Sequence, residues 1–136
     1  MKDRYYVMFK YAHTIYRNGH PSRVETCWYI AKVLVFFKYL IEPNRESHFV
    51  LGEVYDGCIS SNFNVPKAKP ITDINKKYVV FETTDILCPV GLISTFNILP
   101  SNKVDVEAYK SVIYPGDVID PVLLKNAGDF RNLFTL

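Results

Sequence analysis

The sequence predicts an all-β fold: a partly open barrel or sandwich of about six or seven strands with a short C-terminal helix. Residues 28–41, WYIAKVLVFFKYLI, alternate apolar side chains on both faces, interrupted only by Lys32 and Lys38. A strand of that kind needs protein on both sides of its sheet. Aromatic residues make up 15% of the chain, with ten Tyr and nine Phe, and such residues favour strands. Turn-forming residues punctuate short apolar runs over most of the length.

Taken in order, residues 5–16 read as a first strand, and Asn18-Gly19 is a turn signal because both residues tolerate positive φ. Residues 24–41 return as a long strand. A polar connector leads to residues 48–55, HFVLGEVY, its hairpin partner, in which Gly52 marks a bulge or a close backbone approach. Residues 56–77 are polar, with two Pro and four Lys, and read as a long loop. Residues 78–82 form another strand. Residues 84–87 and 90–99 follow as two strands split by Pro89 and Gly91, and Pro100-Ser101-Asn102 is a turn. Residues 112–114 read as a last short strand. Asp120 then supplies an N-cap and Pro121 a first helical position for the terminal helix.

With 136 residues, the chain is sized for one domain spanning 1–136. Apolar residues at 49% and charged residues at 22% place it among globular proteins. The net charge of +2 is too small to argue for nucleic acid by itself. Its distribution is uneven: residues 1–77 hold 12 Lys and Arg against 7 Asp and Glu, and residues 78–136 hold 4 against 7. A basic, Tyr-rich N-terminal half is suited to phosphates, although a mixed solvated surface explains the same charges. Cys27, Cys58 and Cys88 lack metal-type spacing and read as reduced thiols of an intracellular protein. The chain opens on no secretory signal, and residues 28–41 are too short to cross a bilayer as a helix, so no membrane partner is expected.

The sequence carries no phosphate-binding loop, dinucleotide fingerprint or HExxH motif. His13, His20 and His48 are scattered, and none stands within four residues of a cysteine or another histidine. No metal or cofactor is implied, and no catalytic residue is assigned. Cys58 beside Gly57 is a candidate nucleophile only in an electropositive setting, and otherwise a packed thiol. Asp117 and Asp120 read as turn and capping residues rather than an acid–base pair. The cations Arg17, Arg23, Lys67, Lys69, Lys76 and Lys77 are the best candidates for an anionic partner, since lysine contacts to phosphate supply affinity without sequence readout.

Over roughly residues 24–99 the chain resembles a bromo-adjacent homology domain. WYIAKVLVFFKY is similar to that family's strand that opens on an aromatic residue, HFVLGEVYDG stands in place of its hairpin partner, and YVVFETTDILCPVGLISTFNIL resembles the segment where an acidic turn precedes a proline. The resemblance implies chromatin association, with some members holding methylated histone lysine in an aromatic cage. Tyr29 falls on a cage position. The family's Trp-x-Tyr-Arg-Pro-Glu stretch corresponds to residues 52–57 here, where Tyr55 is the remaining wall and Glu53 or Asp56 the anionic partner. The tryptophan is missing, which favours a protein scaffold over methyl-lysine reading. The same strand order also resembles a β-rich domain of proteins derived from transposable elements.

The expectation is therefore a non-enzymatic interaction module for a chromatin or other nuclear protein, or a histone peptide, through Tyr29, Glu53, Tyr55 and Asp56. Direct nucleic-acid binding through the lysine-rich segment is the alternative. A third reading is a self-associating structural protein whose exposed aromatic strand edges pair between subunits.

Overall fold

The structure, a computed structural model, describes residues 5–15, 18–60, 65–73, 75, 77–117 and 119–128. The strands are β1 (Tyr6–Ile15), β2 (Arg23–Glu42), β3 (Arg45–Ile59), β4 (Pro66–Pro70), β5 (Tyr78–Glu82), β6 (Ile86–Ile93), β7 (Phe96–Ile98), β8 (Val104–Val106) and β9 (Lys110–Ile113). Among the described residues a 3-10 turn spans Thr83–Asp85 and one α-helix, α1 (Pro121–Leu124), follows the strands. All strand pairings are antiparallel, and β1, β2, β3, β4, β9 and β6 join in a closed six-strand ring. β5 adds to the edge of β3, and β7 and β8 form a separate hairpin.

Two apolar cores share one wall. Inside the ring lie Met8, Trp28, Ile30, Tyr55, Ala68, Cys88 and Val112, each ring strand contributing at least one. Ile119 and Leu124 from the C-terminal segment join this core. The opposite faces of β1, β2 and β3 carry Val7, Phe9, Cys27, Tyr29, Ala31, Val50 and Val54, which pack with Val79 and Phe81 of β5. Phe9 and Phe81 stack with ring centroids 3.9 Å apart. Alternation along β2 thus sends odd and even residues into different cores, which is why residues 27–31 are all buried.

The two-sided burial expected over residues 28–41 stops there. From Leu34 to Ile41 the strand leaves the barrel as a ribbon with β3, and its apolar side chains face solvent. The break falls where Leu34 is inserted as an extra residue opposite Gly52 and Leu51. A Cβ at Gly52 would stand 2.9 Å from the Lys32 carbonyl oxygen, so the close approach read from the sequence is present.

Three further expectations are revised. Residues 56–77 are not one loop, because Pro66–Pro70 pairs with both β3 and β9 and completes the ring. Prolines at both ends of so short a strand hide it from any propensity reading. β6 runs unbroken through Pro89 and Gly91, with its ladder to β1 irregular at Met8 and Phe9. Residues 96–106 form a hairpin, β7 with β8, where the sequence predicts one strand over 90–99 and a turn.

The C-terminal segment is latched to Trp28. Its indole Nε1 donates to the Leu124 carbonyl at 2.8 Å, its backbone N donates to Asn126 O, and Gly128 N donates to Trp28 O. Asp120 caps α1 as expected, its Oδ1 accepting from Val122 N at 2.9 Å.

Candidate functional site

Of the four residues expected to form a partner surface, Tyr29 and Tyr55 lie in different cores and Glu53 and Asp56 are half-buried outside them. Tyr29 is 1% exposed, stacked on Phe9 at 5.5 Å and hydrogen-bonded through its hydroxyl to His13 Nε2. Tyr55 is 8% exposed and meets Tyr6 edge-on inside the ring. The register pairs Tyr55 with Ile30, so Tyr55 faces the barrel interior while Tyr29 faces the outer core. The two rings therefore do not wall one cage. Glu53 is half-buried, 4.0 Å from Lys77 Nζ. Asp56 lies opposite Lys69 and lines an open cleft of about 430 Å³ with Ile71, Thr72, Asp73 and Ala108.

Of the cations expected to meet an anionic partner, Lys67, Lys69 and Lys77 are engaged within the molecule. Ala68 of β4 points into the ring, which directs its neighbours Lys67 and Lys69 outward. Lys67 Nζ donates to Glu107 Oε2 at 2.7 Å, and Lys69 Nζ sits 4.9 Å from the centre of the Tyr109 ring. Lys77 stands over Tyr78 in the same way at 5.0 Å. Arg23 pairs with Glu25 at 3.3 Å in the open. Arg17 and Lys76 lie outside the described residues.

Sequence reasoning overlooked two uncovered apolar ribbons. In the first, β7 and β8 pair Phe96 with Val106 and Ile98 with Val104. Period two puts these four on one face, with Asn97 and Asp105 on the other. All four are between 59% and 71% exposed. The hairpin is closed by Leu99 N donating to Lys103 O and Asn102 N donating to Leu99 O, with Asn102 at φ 60°. Glu107 holds its base: the carboxylate accepts from Lys67, from Thr95 Oγ1 at 2.9 Å and from Asn97 Nδ2 at 3.4 Å. The Lys67 and Thr95 hydrogen bonds hold the Glu107 carboxyl below its ordinary range. The signal in the sequence was the alternation of Phe96, Ile98, Val104 and Val106 around a Pro-Ser-Asn turn.

The second ribbon is the far part of β2 and β3. Its register sets Val35, Phe37 and Tyr39 against Leu51, Phe49 and Ser47 on one face, which ends at the Glu42–Arg45 pair. Phe37 and Phe49 stack at 5.7 Å there. The other face mixes Phe36 and Leu40 with Lys38, His48 and Glu46.

Burial raises the thiols of Cys27 and Cys88, and that of Cys58 despite Lys67 and Lys69 nearby. Among the described residues no group of three His, Cys, Asp or Glu is placed to hold a metal, and no helix is long and apolar enough to cross a membrane. No protein-family model, curated protein or solved structure matches the chain.

Proposed function

We propose that the chain is a non-enzymatic protein-interaction module of the nucleus that binds a chromatin protein or another nuclear protein. The observation that carries this reading is the uncovered face of the β7–β8 hairpin. A two-stranded sheet is marginal in water by itself, and four apolar side chains on one side of it are suited to a protein surface. Glu107 fixes the hairpin base to β4 through Lys67, so the face is presented in a set orientation. The nuclear setting rests on the resemblance of residues 24–99 to bromo-adjacent homology domains. Burial pushes the Cys58 thiol up despite Lys67 and Lys69 nearby, which speaks against it as the nucleophile that the sequence offered.

The test is affinity capture from nuclear extract with the wild-type chain and with an Ile98→Ser, Val104→Ser variant. Specific nuclear partners held by the wild type and lost with the variant are expected. Capture of none, or equal capture by both, overturns the reading.

A further inference from the structure

We propose that the β8 edge of the β7–β8 hairpin binds an extended segment of a partner protein in which a cationic residue stands between two apolar ones. The inference rests on the reading of this hairpin as an interaction site and names what the hairpin recognises.

Hydrogen bonding inside the hairpin decides which backbone groups are open. Glu107 N donates to Thr95 O at 2.9 Å, and Leu99 N donates to Lys103 O at 2.8 Å. Bonded and non-bonded positions alternate along an antiparallel pair, so Phe96–Val106 and Ile98–Val104 are the non-bonded pairs. The N–H and C=O groups of Val104 and Val106 therefore point away from β7. Among the described residues no other strand pairs with β8. The same two valines carry their side chains on the uncovered apolar face. A third strand with apolar residues opposite Val104 and Val106 would bond the open groups and extend that face.

Charge selects the remaining positions. Asp105 and Lys103 share the other face of β8, are exposed, and join no ion pair among the described residues. On an incoming antiparallel strand, the residue opposite Asp105 stands in a non-bonded pair, where side chains are closest, and Lys or Arg is favoured there. Two residues further on, the strand meets Lys103, which favours Asp or Glu. The recognised segment therefore reads apolar, cation, apolar, anion from its N-terminal end. Glu107 adds no open charge to this row, because Lys67 already pairs with it. The β7 edge has no comparable selectivity: Asn97 stands between Phe96 and Ile98 and donates to Glu107.

The β8 edge of a second copy suits these positions less well. Two such edges centred on Asp105 oppose their carboxylates, which is unfavourable. Centred on Val104 they match Asp105 with Lys103, but Val106 then faces Asn102, which sits in the turn at φ 60°. Only one apolar pair forms in that arrangement, whereas a foreign strand supplies an apolar residue to each valine. The edge is short, so the contact falls well below the roughly 800 Å² per partner of a stable interface, and the complex is a transient one.

The experiment is an isotope-edited NMR titration of the full chain with the blocked peptide Thr-Val-Lys-Val-Glu-Thr and with its charge-exchanged form Thr-Val-Glu-Val-Lys-Thr. The first is expected to move the amide signals of residues 103–106 and to bind about tenfold more tightly than the second. The double variant Asp105→Lys, Lys103→Glu is expected to reverse that preference and to keep the wild-type thermal melt. Methylating the two valine amide nitrogens of the first peptide should abolish binding. Methylating its lysine amide nitrogen should not, because only the valine groups face β8. Absence of binding, equal binding of both peptides, or tolerance of the valine methylation overturns the proposal. So do shifts at residues 103–106 that grow with protein concentration alone, which would put a second copy at the edge. Nuclear capture that depends on Ile98 and Val104 but is unchanged in the double variant would show that this proposal fails while the interaction reading stands.

Discussion

Gly57 lies flat against the indole of Trp28: a Cβ on residue 57 would stand 2.9 Å from Cζ3 and 3.0 Å from Cη2 of the ring. The ring has little freedom to withdraw, because it is fully buried and its Nε1 is tied to the Leu124 carbonyl. Gly57→Ala is expected to cost about 1–3 kcal/mol through overpacking. Urea denaturation followed by tryptophan fluorescence measures it, and an unchanged midpoint would show that the indole yields.

Tyr29 supports the outer core, so its two obvious substitutions separate packing from polarity. Tyr29→Ala is expected to lose about 3–5 kcal/mol, as large-to-small changes of buried aromatic residues do. Tyr29→Phe keeps the Phe9 stack and removes only the hydroxyl bonded to His13, which is worth about 0.5–1.5 kcal/mol. Chemical denaturation of both variants checks the difference. Similar losses would mean that the hydroxyl dominates.

The Glu107 carboxyl is held below its ordinary range by Lys67 and Thr95. A carboxyl depressed in the folded state contributes stability that is present above its unfolded value, about 4.3, and is lost as pH falls through the folded value. Melting temperature is therefore expected to fall in acid below that pH, and Glu107→Gln is expected to flatten this part of the profile. A variant that retains the wild-type acid slope would place the titration elsewhere.

All three thiols are raised by burial, so labelling of the folded chain by a thiol reagent near neutral pH is expected to be slow. Cys58, half-buried where Cys27 and Cys88 are buried, should react first. Unfolding with urea should release all three. Rapid labelling of Cys27 in the folded state would contradict its place in the outer core.

The barrel, the β2–β3 hairpin, the tight contact at Gly52 and the Asp120 cap were legible because each rests on local chemistry or simple alternation. Alternation also marked residues 28–41 as apolar on both sides, but it cannot tell which portion of a long strand another element covers. The insertion at Leu34 and the ending of β1 at Tyr6 decide that, and both are tertiary facts. Tyr29 and Tyr55 were brought together only by the resemblance to an aromatic cage, which says nothing about register. The pairing of Tyr55 with Ile30 puts them back to back. β4 was illegible for a different reason: with Pro66 and Pro70 at its ends and two lysines between, only its neighbours β3 and β9 make it a strand.

The latch on Trp28 has a consequence for the order in which the protein can be completed. The indole belongs to the second strand, yet its hydrogen-bond acceptor and the residues beside it come from positions 119–128. A growing chain can pair β1, β2 and β3 long before those residues leave the ribosome, but it cannot shut the end of the barrel. Until then the indole N–H has only water to bond, and the interior around Met8 and Ile30 stays accessible. Closure of this end of the barrel therefore waits on residues 119–128 rather than on the first hairpin.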